Sequence, residues 1–187
     1  MKTIKSGLAA LTLAIVPLAA GCTVAEDENP DTATKDDGTL TLAAALAAGE
    51  GLGTLRDALG KSELSAVLEG PASYTLLAPN DTAFEALGEE GGALLAEEQR
   101  PMLVAILRDH LLPGHLTPEA IGEAIDKKGG PVTMATLGDG EVTFARSGDT
   151  ITATMGDSST AGVSGTAIAA NNGVIIPIDT VLLPPKG

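Results

Sequence analysis

Two histidines are the side chains of this chain best suited to acid–base or metal chemistry. His110 lies on the apolar side of a predicted helix, whereas His115 lies between a glycine and a leucine in a predicted turn. A transition-metal site needs three or four converging ligands, and no cysteine lies near this pair in the sequence. The helical spacing therefore favours a buried His110 whose imidazole bonds to a backbone carbonyl. A hinge or ligand-contact role for His110 is the alternative, and we expect His115 to be solvated.

The carboxylates also favour structural roles over catalysis. Asp81 opens a predicted helix and is better placed to cap it than to act as an acid or base. Asp179 lies among apolar residues in the middle of a predicted last strand, where it would accept hydrogen bonds that fix the register; contact with a partner is the alternative. Four further acids lie in predicted hairpin turns, their spacing matches no recognised calcium loop, and we expect a solvated face: Asp139, Glu141, Asp149 and Asp157.

Two short segments share part of an enzyme motif and lack the rest. Gly162-Val-Ser-Gly165 has no final glycine for a nucleophile elbow, and Gly51-Leu-Gly53-Thr-Leu-Arg56 has no third glycine for a dinucleotide-binding loop. The sequence also contains no P-loop and no zinc motif. We therefore predict a protein that is not an enzyme and has no catalytic residue, no cofactor and no metal site.

Helical patterns come first along the chain and β-prone runs follow. Leucines recur at helical spacing from Leu40 to Leu68, a second helical pattern ends at His110, and Thr117-Pro118 opens a third. Short β-prone runs between Val132 and Ala169 are then separated by turns rich in glycine and aspartate. This order predicts a single α+β domain.

The segment Tyr74–Leu87 predicts a strand, a turn and a helix. Its β-prone start ends at Pro79, which cannot donate a ladder hydrogen bond. Asn80 or Asp81 can then cap a helix that buries Phe84 and the last leucine of the segment. Two of the three aromatic residues of this chain are expected in the core, which disfavours sugar binding on stacked rings.

The segment Asn171–Pro184 predicts a terminal strand, because an Asn-Gly turn leads into β-branched and aliphatic residues. Together, the two segments resemble the signatures of the fasciclin domain, a Thr-hydrophobic-hydrophobic-Ala-Pro-polar-Asp-x-Ala-Phe box and a closing Asn-Gly-Val-Ile-x-x-Ile-Asp-x-Val-Leu-x-Pro strand. The resemblance covers about residues 38–185. It implies a compact β-sandwich-like core with helices packed on it.

A third element supports the same resemblance. Fasciclin domains typically carry a Tyr-His pair after a helix, followed by a Pro-Gly turn, and Leu107-Arg-Asp-His-Leu-Leu-Pro-Gly114 lies at that place. The histidine is kept, whereas Asp109 replaces the tyrosine and Ile176-Pro177 replaces a His-Val pair of the last strand. The resemblance implies that Asp109 and His110 belong to a partner-contact region, and the replaced tyrosine weakens that transfer.

The N-terminus has the pattern of an export signal. Lys2 and Lys5 precede an apolar stretch that is too short to span a bilayer, which predicts a signal peptide at residues 1–21. The stretch ends in Leu-Ala-Ala-Gly-Cys22, which resembles a bacterial lipobox, and Cys22 is the sole cysteine. We therefore predict lipidation of Cys22, with a free thiol or an intermolecular disulfide as alternatives. Because no aspartate follows Cys22, the outer membrane is expected if the cell has two membranes.

Charge and composition limit the partners of the exported chain. Removing residues 1–21 takes away two lysines, so the formal net charge changes from −14 to −16, and nucleic-acid binding is disfavoured. Residues 22–37 are acidic and poor in apolar groups, which predicts a disordered tether before a single domain at 38–187. We expect a lipid-anchored adhesion or protein-interaction module in the bacterial cell envelope, whose partner is a cell-surface or extracellular protein or polysaccharide. The alternative is an envelope binding protein for a small apolar ligand or polysaccharide.

Overall fold

The computed structural model describes residues 33–36, 38–156 and 159–184. The predicted signal peptide, Cys22, most of the predicted tether and Asp157 lie outside the described residues. Within the described part of the chain, no helix is both long enough and apolar enough to cross a membrane.

Helices occupy mainly the first two thirds of the described chain, in agreement with the sequence pattern. Thr41, Asn80 and Thr117 cap three of them, each accepting a hydrogen bond from a backbone N–H of the first helical turn. The helices are α1 (Leu42–Ala48), α2 (Gly53–Lys61), α3 (Ser65–Glu69), α4 (Asp81–Glu85), α5 (Glu89–Leu94), α6 (Arg100–Asp109) and α7 (Pro118–Lys128), with a 3-10 turn at Glu97–Gln99 between α5 and α6.

The strands form two sheets that pack face to face, and the predicted α+β fold is confirmed. The strands are β1 (Thr34–Asp36), β2 (Tyr74–Pro79), β3 (Leu111–Pro113), β4 (Val132–Ala135), β5 (Glu141–Ser147), β6 (Thr150–Met155), β7 (Ser159–Gly162), β8 (Ala167–Ala170) and β9 (Gly173–Ile178). The first sheet has the order β1-β8-β9-β2-β3, and the second has the order β4-β5-β6-β7. The second sheet is antiparallel throughout, whereas the first is mixed.

The two signature segments of the sequence are neighbours in space. β2 and β9 pair in parallel along six residues, from Tyr74 opposite Gly173 to Pro79 opposite Ile178. A Cβ atom on Gly173 would collide with the carbonyl oxygen of Tyr74, so this pairing requires glycine. The resemblance seen in two distant segments therefore corresponds to one central pair of strands.

The central pair is buried on both faces, because the helices cover one face and the second sheet covers the other. Leu76 and Ile175 pack with the helices, in a core that includes Leu55 and Phe84. The alternate residues of the same strands pack toward the second sheet, in a core that includes Leu77, Val174, Ile176, Phe144 and Ile151.

Three details of the sequence-based fold prediction are wrong. The strand predicted to stop at Pro79 includes that proline. Pairing with β3 extends only as far as Leu76, opposite Leu111, so no strand on that side needs a hydrogen bond from Pro79. The last strand ends at Ile178 and does not reach Pro184. Thr34–Asp36, placed in the disordered tether, form β1 at the edge of the first sheet beside β8. Such an edge strand needs backbone pairing and little apolar burial, so its polar composition gave no signal.

Candidate functional site

His110 ends α6 and connects it to the C-terminal segment that follows β9. Its side chain is only 1% exposed. The Nδ1 atom lies 2.8 Å from the carbonyl oxygen of Ile106, and the Nε2 atom lies 3.0 Å from the backbone nitrogen of Leu182. The Leu182 N–H can only donate, so Nε2 accepts and Nδ1 donates to Ile106. The predicted structural role of His110, a buried imidazole bonded to a backbone carbonyl, is confirmed.

The environment of His110 stabilises the neutral imidazole. Burial lowers its pKa below the ordinary value of 6.5, while the hydrogen bond to Ile106 and the charge of Asp109 act in the opposite direction. Protonation would turn Nε2 into a donor that faces another donor, the N–H of Leu182. The contact between α6 and the C-terminal segment therefore depends on a neutral histidine.

Asp109 points away from His110 and stabilises the turn between β4 and β5. Its side chain is 7% exposed, and its Oδ1 atom accepts hydrogen bonds from Thr136 Oγ1 at 2.9 Å and from the Gly140 nitrogen at 3.1 Å. A Cβ atom on Gly138 or Gly140 would collide with this carboxylate. Asp109 and His110 are thus both buried, and any partner-contact surface in this region must be formed by other side chains.

An open apolar groove adjoins the outer side of α6. It has a volume of about 300 Å³, and its apolar lining comes from the loop after α4, from α5, from α6 and from the C-terminal segment. Met102 is 56% exposed, and among the described residues it is the one large hydrophobic side chain classed as exposed. The lining residues are Leu87, Glu90, Ala93, Leu94, Gln99, Met102, Ile106, Leu183 and Pro184.

His110 lies beneath the groove and hydrogen-bonds to the backbone of two of its walls. Ile106, whose carbonyl accepts from His110, lines one wall, and Leu183, which follows the bonded Leu182, lines another. Ser159 of β7 adds two bonds to this segment, because its hydroxyl oxygen lies 2.9 Å from the Leu183 nitrogen and 3.1 Å from the Leu183 oxygen. The C-terminal wall is therefore held by the buried side chain of His110 and the half-buried side chain of Ser159, and not by a strand ladder.

The groove was not predicted from the sequence. Met102 and Ile106 are four residues apart on α6 and share one face of that helix. The predicted apolar side of this helix contains His110, and Met102 was not assigned to it. Met102 is an apolar residue of α6 that the predicted core does not need, and this was the signal in the sequence that could have indicated the groove.

Asp81 caps a helix, but not the helix that it begins. Asn80 caps α4 through its side-chain oxygen, which accepts from the Ala83 nitrogen at 2.8 Å. The Asp81 carboxylate instead accepts from the backbone nitrogens of Thr54 at 2.7 Å and Gly53 at 3.4 Å, at the start of α2. The hydrogen bond from Thr54 is the main cause of the lowered pKa of Asp81. The prediction that Asp81 caps the helix it opens is therefore wrong, because Asn80 caps α4 and the Asp81 carboxylate binds the start of α2 instead.

Asp179 fixes the start of the C-terminal segment. It lies one residue beyond β9, so its predicted place in the middle of a strand is wrong. Its Oδ1 atom accepts from the Gly162 nitrogen at 2.8 Å, and its own N–H donates to the Gly162 oxygen at 3.1 Å. The predicted hydrogen-bonding role is thus present, between the end of β9 and β7.

The remaining predicted residues lie on the surface. His115 is exposed, as expected, and so are the described turn acids Asp139, Glu141 and Asp149. In the described part of the chain, no group of three or more His, Cys, Asp or Glu residues is arranged to hold a metal ion. Asp81, Asp109 and Asp179 bond to separate parts of the fold.

Comparisons with known proteins identify this architecture. A model of the fasciclin domain matches residues 50–184. Protein sll1483 of Synechocystis sp. (strain ATCC 27184 / PCC 6803 / Kazusa) is 31% identical over 152 residues, which cover 80% of this chain and 76% of that protein. The transforming growth factor-beta-induced protein ig-h3 of Sus scrofa is 33% identical over 132 residues, which cover 70% of this chain and 17% of that protein.

A solved structure has the same fold. It is a FAS1 domain pair from the insect cell adhesion molecule fasciclin I, with a TM-score of 0.68 and 16% sequence identity. The similarity covers 78% of this chain and 51% of that one. This chain therefore spans about half of the domain pair and a much smaller share of ig-h3.

Proposed function

Because this chain belongs to the fasciclin domain family, we propose that it is a cell-surface protein-interaction module of the adhesion type, whose contact surface is the groove around Met102. The family includes domains of a cell adhesion molecule. The observation that carries the proposal is the exposed, open and mainly apolar groove. An exposed apolar groove of this kind can be a protein contact site or a ligand-binding site.

The proposal includes export and a lipid anchor. The support is the sequence alone: a basic start, a short apolar stretch and a lipobox-like ending at the sole cysteine, Cys22. Many anchored copies on one membrane would strengthen a weak individual contact through multivalency. The bacterial cell envelope, and the outer membrane where two membranes exist, is the proposed location.

The rival function is the binding of a small apolar molecule or a polysaccharide. A small-molecule site usually encloses its ligand and converges several polar groups on it. This groove is open, and its lining includes the polar side chains of Glu90 and Gln99 at its margin. A wider polar cleft near Asn80 and Ser164 has no aromatic residue in its lining on which a sugar ring would stack. Both observations favour protein contact.

A pair of charge-matched variants tests the proposal. Met102→Glu places a charge at the exposed centre of the groove, whereas Ala124→Glu adds the same charge on the exposed face of α7. Each variant is displayed on intact cells, and its capture of surface components by cross-linking is compared with wild type. We expect Met102→Glu to lose capture at an unchanged unfolding midpoint, and Ala124→Glu to keep it. Equal capture by both variants would contradict a contact through the groove.

A further inference from the structure

From the shape and charge of the groove, we propose that its occupant is a basic amphipathic helix of a partner protein. This inference rests on the proposed function and specifies the chemistry of the partner. The occupant would place its apolar residues against Met102, Ile106 and Leu94 and its lysines or arginines beside the glutamates of α5 and the 3-10 turn. The apolar lining and the glutamates both belong to the segments that form the groove.

The walls of the groove favour a helix over an extended peptide. Every described lining residue belongs to α5, α6, the 3-10 turn, the loop after α4 or the C-terminal segment, so the groove presents side chains and not the edge of a strand. An extended peptide gains its affinity chiefly from main-chain pairing with a sheet edge. A helix gains it by inserting apolar side chains spaced three or four residues apart into such a groove.

The segments that form the groove are acidic. Glu90 lines the groove, and Glu89, Glu97 and Glu98 lie beside lining residues in α5 and the 3-10 turn; all four are exposed. Two bases lie near them, because Arg100 begins α6 and the Nζ atom of Lys61 lies 3.5 Å from the Leu95 carbonyl oxygen. Four acids beside two bases leave a net negative charge, which favours a cationic partner and slows the approach of an anionic one.

The same charge argues against two other occupants. A second copy of this chain carries a formal net charge of −14, and packing two grooves together would bring glutamates against glutamates. An anionic membrane surface would likewise be repelled by the acidic segments of the groove. A cationic helix satisfies both the apolar floor and the acidic segments of the groove.

The test uses synthetic helices as probes. The first peptide is about 18 residues long, which is sufficient for helix formation, with leucines at helical spacing and lysines on both sides of the leucine stripe. A second peptide has the same composition with the leucines redistributed, and a third carries glutamate in place of lysine. Binding to the full chain is measured by fluorescence anisotropy at low and physiological salt. We expect the first peptide to bind more tightly than both others, and its affinity to fall with salt.

Two charge-matched triple variants locate the contact. Replacing Glu90, Glu97 and Glu98 by glutamine should weaken binding of the first peptide about three- to tenfold, since exposed ion pairs each contribute little. The control makes the same change at three exposed glutamates outside α5 and the 3-10 turn, Glu50, Glu63 and Glu123, and should keep wild-type affinity. Met102→Glu should also weaken the first peptide.

The outcomes separate this inference from the proposed function. Equal binding of the redistributed peptide, or equal loss in both triple variants, overturns the inference because the attraction is then only general electrostatics. Binding to anionic vesicles that Met102→Glu abolishes, or a dimer that Met102→Glu dissociates, overturns it in favour of another occupant. If Met102→Glu impairs capture on cells while no peptide binds, the inference fails and the proposed function stands. If Met102→Glu changes neither measurement, both fail.

Discussion

Acidification is expected to destabilise the domain through His110. Burial holds the pKa of the folded imidazole below its ordinary value of 6.5, which the unfolded chain retains. Below about pH 6.5 the unfolded chain therefore binds a proton that the folded chain does not. The free energy of unfolding should be independent of this group above that pH and should fall as the pH drops toward the folded pKa.

The size of the effect follows from the linkage between protons and folding. One group that is protonated only in the unfolded chain lowers the free energy of unfolding by about 1.4 kcal/mol per pH unit. From about pH 6.5 to about pH 5, the loss is therefore at most about 2 kcal/mol. Among the neighbours, the carboxylate of Asp109 reduces the loss because it favours the charged imidazole, whereas the Leu182 N–H increases it because a donor beside Nε2 opposes protonation.

Urea unfolding at about pH 7, 6 and 5 measures this dependence, because ordinary carboxylates titrate mainly below that window. Wild type and His115→Ala, which removes an exposed imidazole, should show the same decline. His110→Gln should be less stable at pH 7, since it cannot reproduce both hydrogen bonds, but should decline less on acidification. Parallel pH profiles for wild type and His110→Gln would refute the assignment of the proton to His110.

Two further predictions concern the core and the anchor. Phe84→Ala should cost about 3–5 kcal/mol, because this side chain is 6% exposed within the helix-side core; denaturant unfolding measures the loss, and a near-neutral effect would contradict its packing role. Cys22→Ala should release the protein from the membrane fraction of cells, and mass spectrometry should detect acyl groups on Cys22 of the wild type; an unmodified Cys22 in mature wild-type protein would rule out the anchor.

The sequence predicted those parts of the fold that depend on local patterns. Helix α7 was predicted from Thr117 and Pro118, and the burial of Phe84 and Phe144 follows from their apolar context. The pairing of β2 with β9 was not predicted, because no local sequence pattern specifies a partner strand about 100 residues away. β7, with the sequence Ser-Thr-Ala-Gly, was also missed because it has no alternation of large apolar residues.

The end of the last strand shows why the candidate site was harder to predict than the fold. Val181 and Leu182 continue the apolar run of β9 and are buried, which is the pattern of a strand. Their segment is irregular because its backbone bonds to the side chains of His110 and Ser159, which lie far away in the sequence. A buried histidine was predicted, but its second hydrogen-bond partner depends on the tertiary structure.

The central position of the β2–β9 pair has a consequence for how the chain can be made and divided. Until residues 173–178 are available, β2 has an open edge on that side, and the core between the two sheets lacks the buried Val174, Ile176 and Ile178. A fragment that ends before β9 would therefore combine an open apolar strand edge with an incomplete core, the features that promote aggregation. The domain should tolerate neither splitting between its helical and β-rich parts nor truncation before Ile178, and it can complete its fold only after β9 is available.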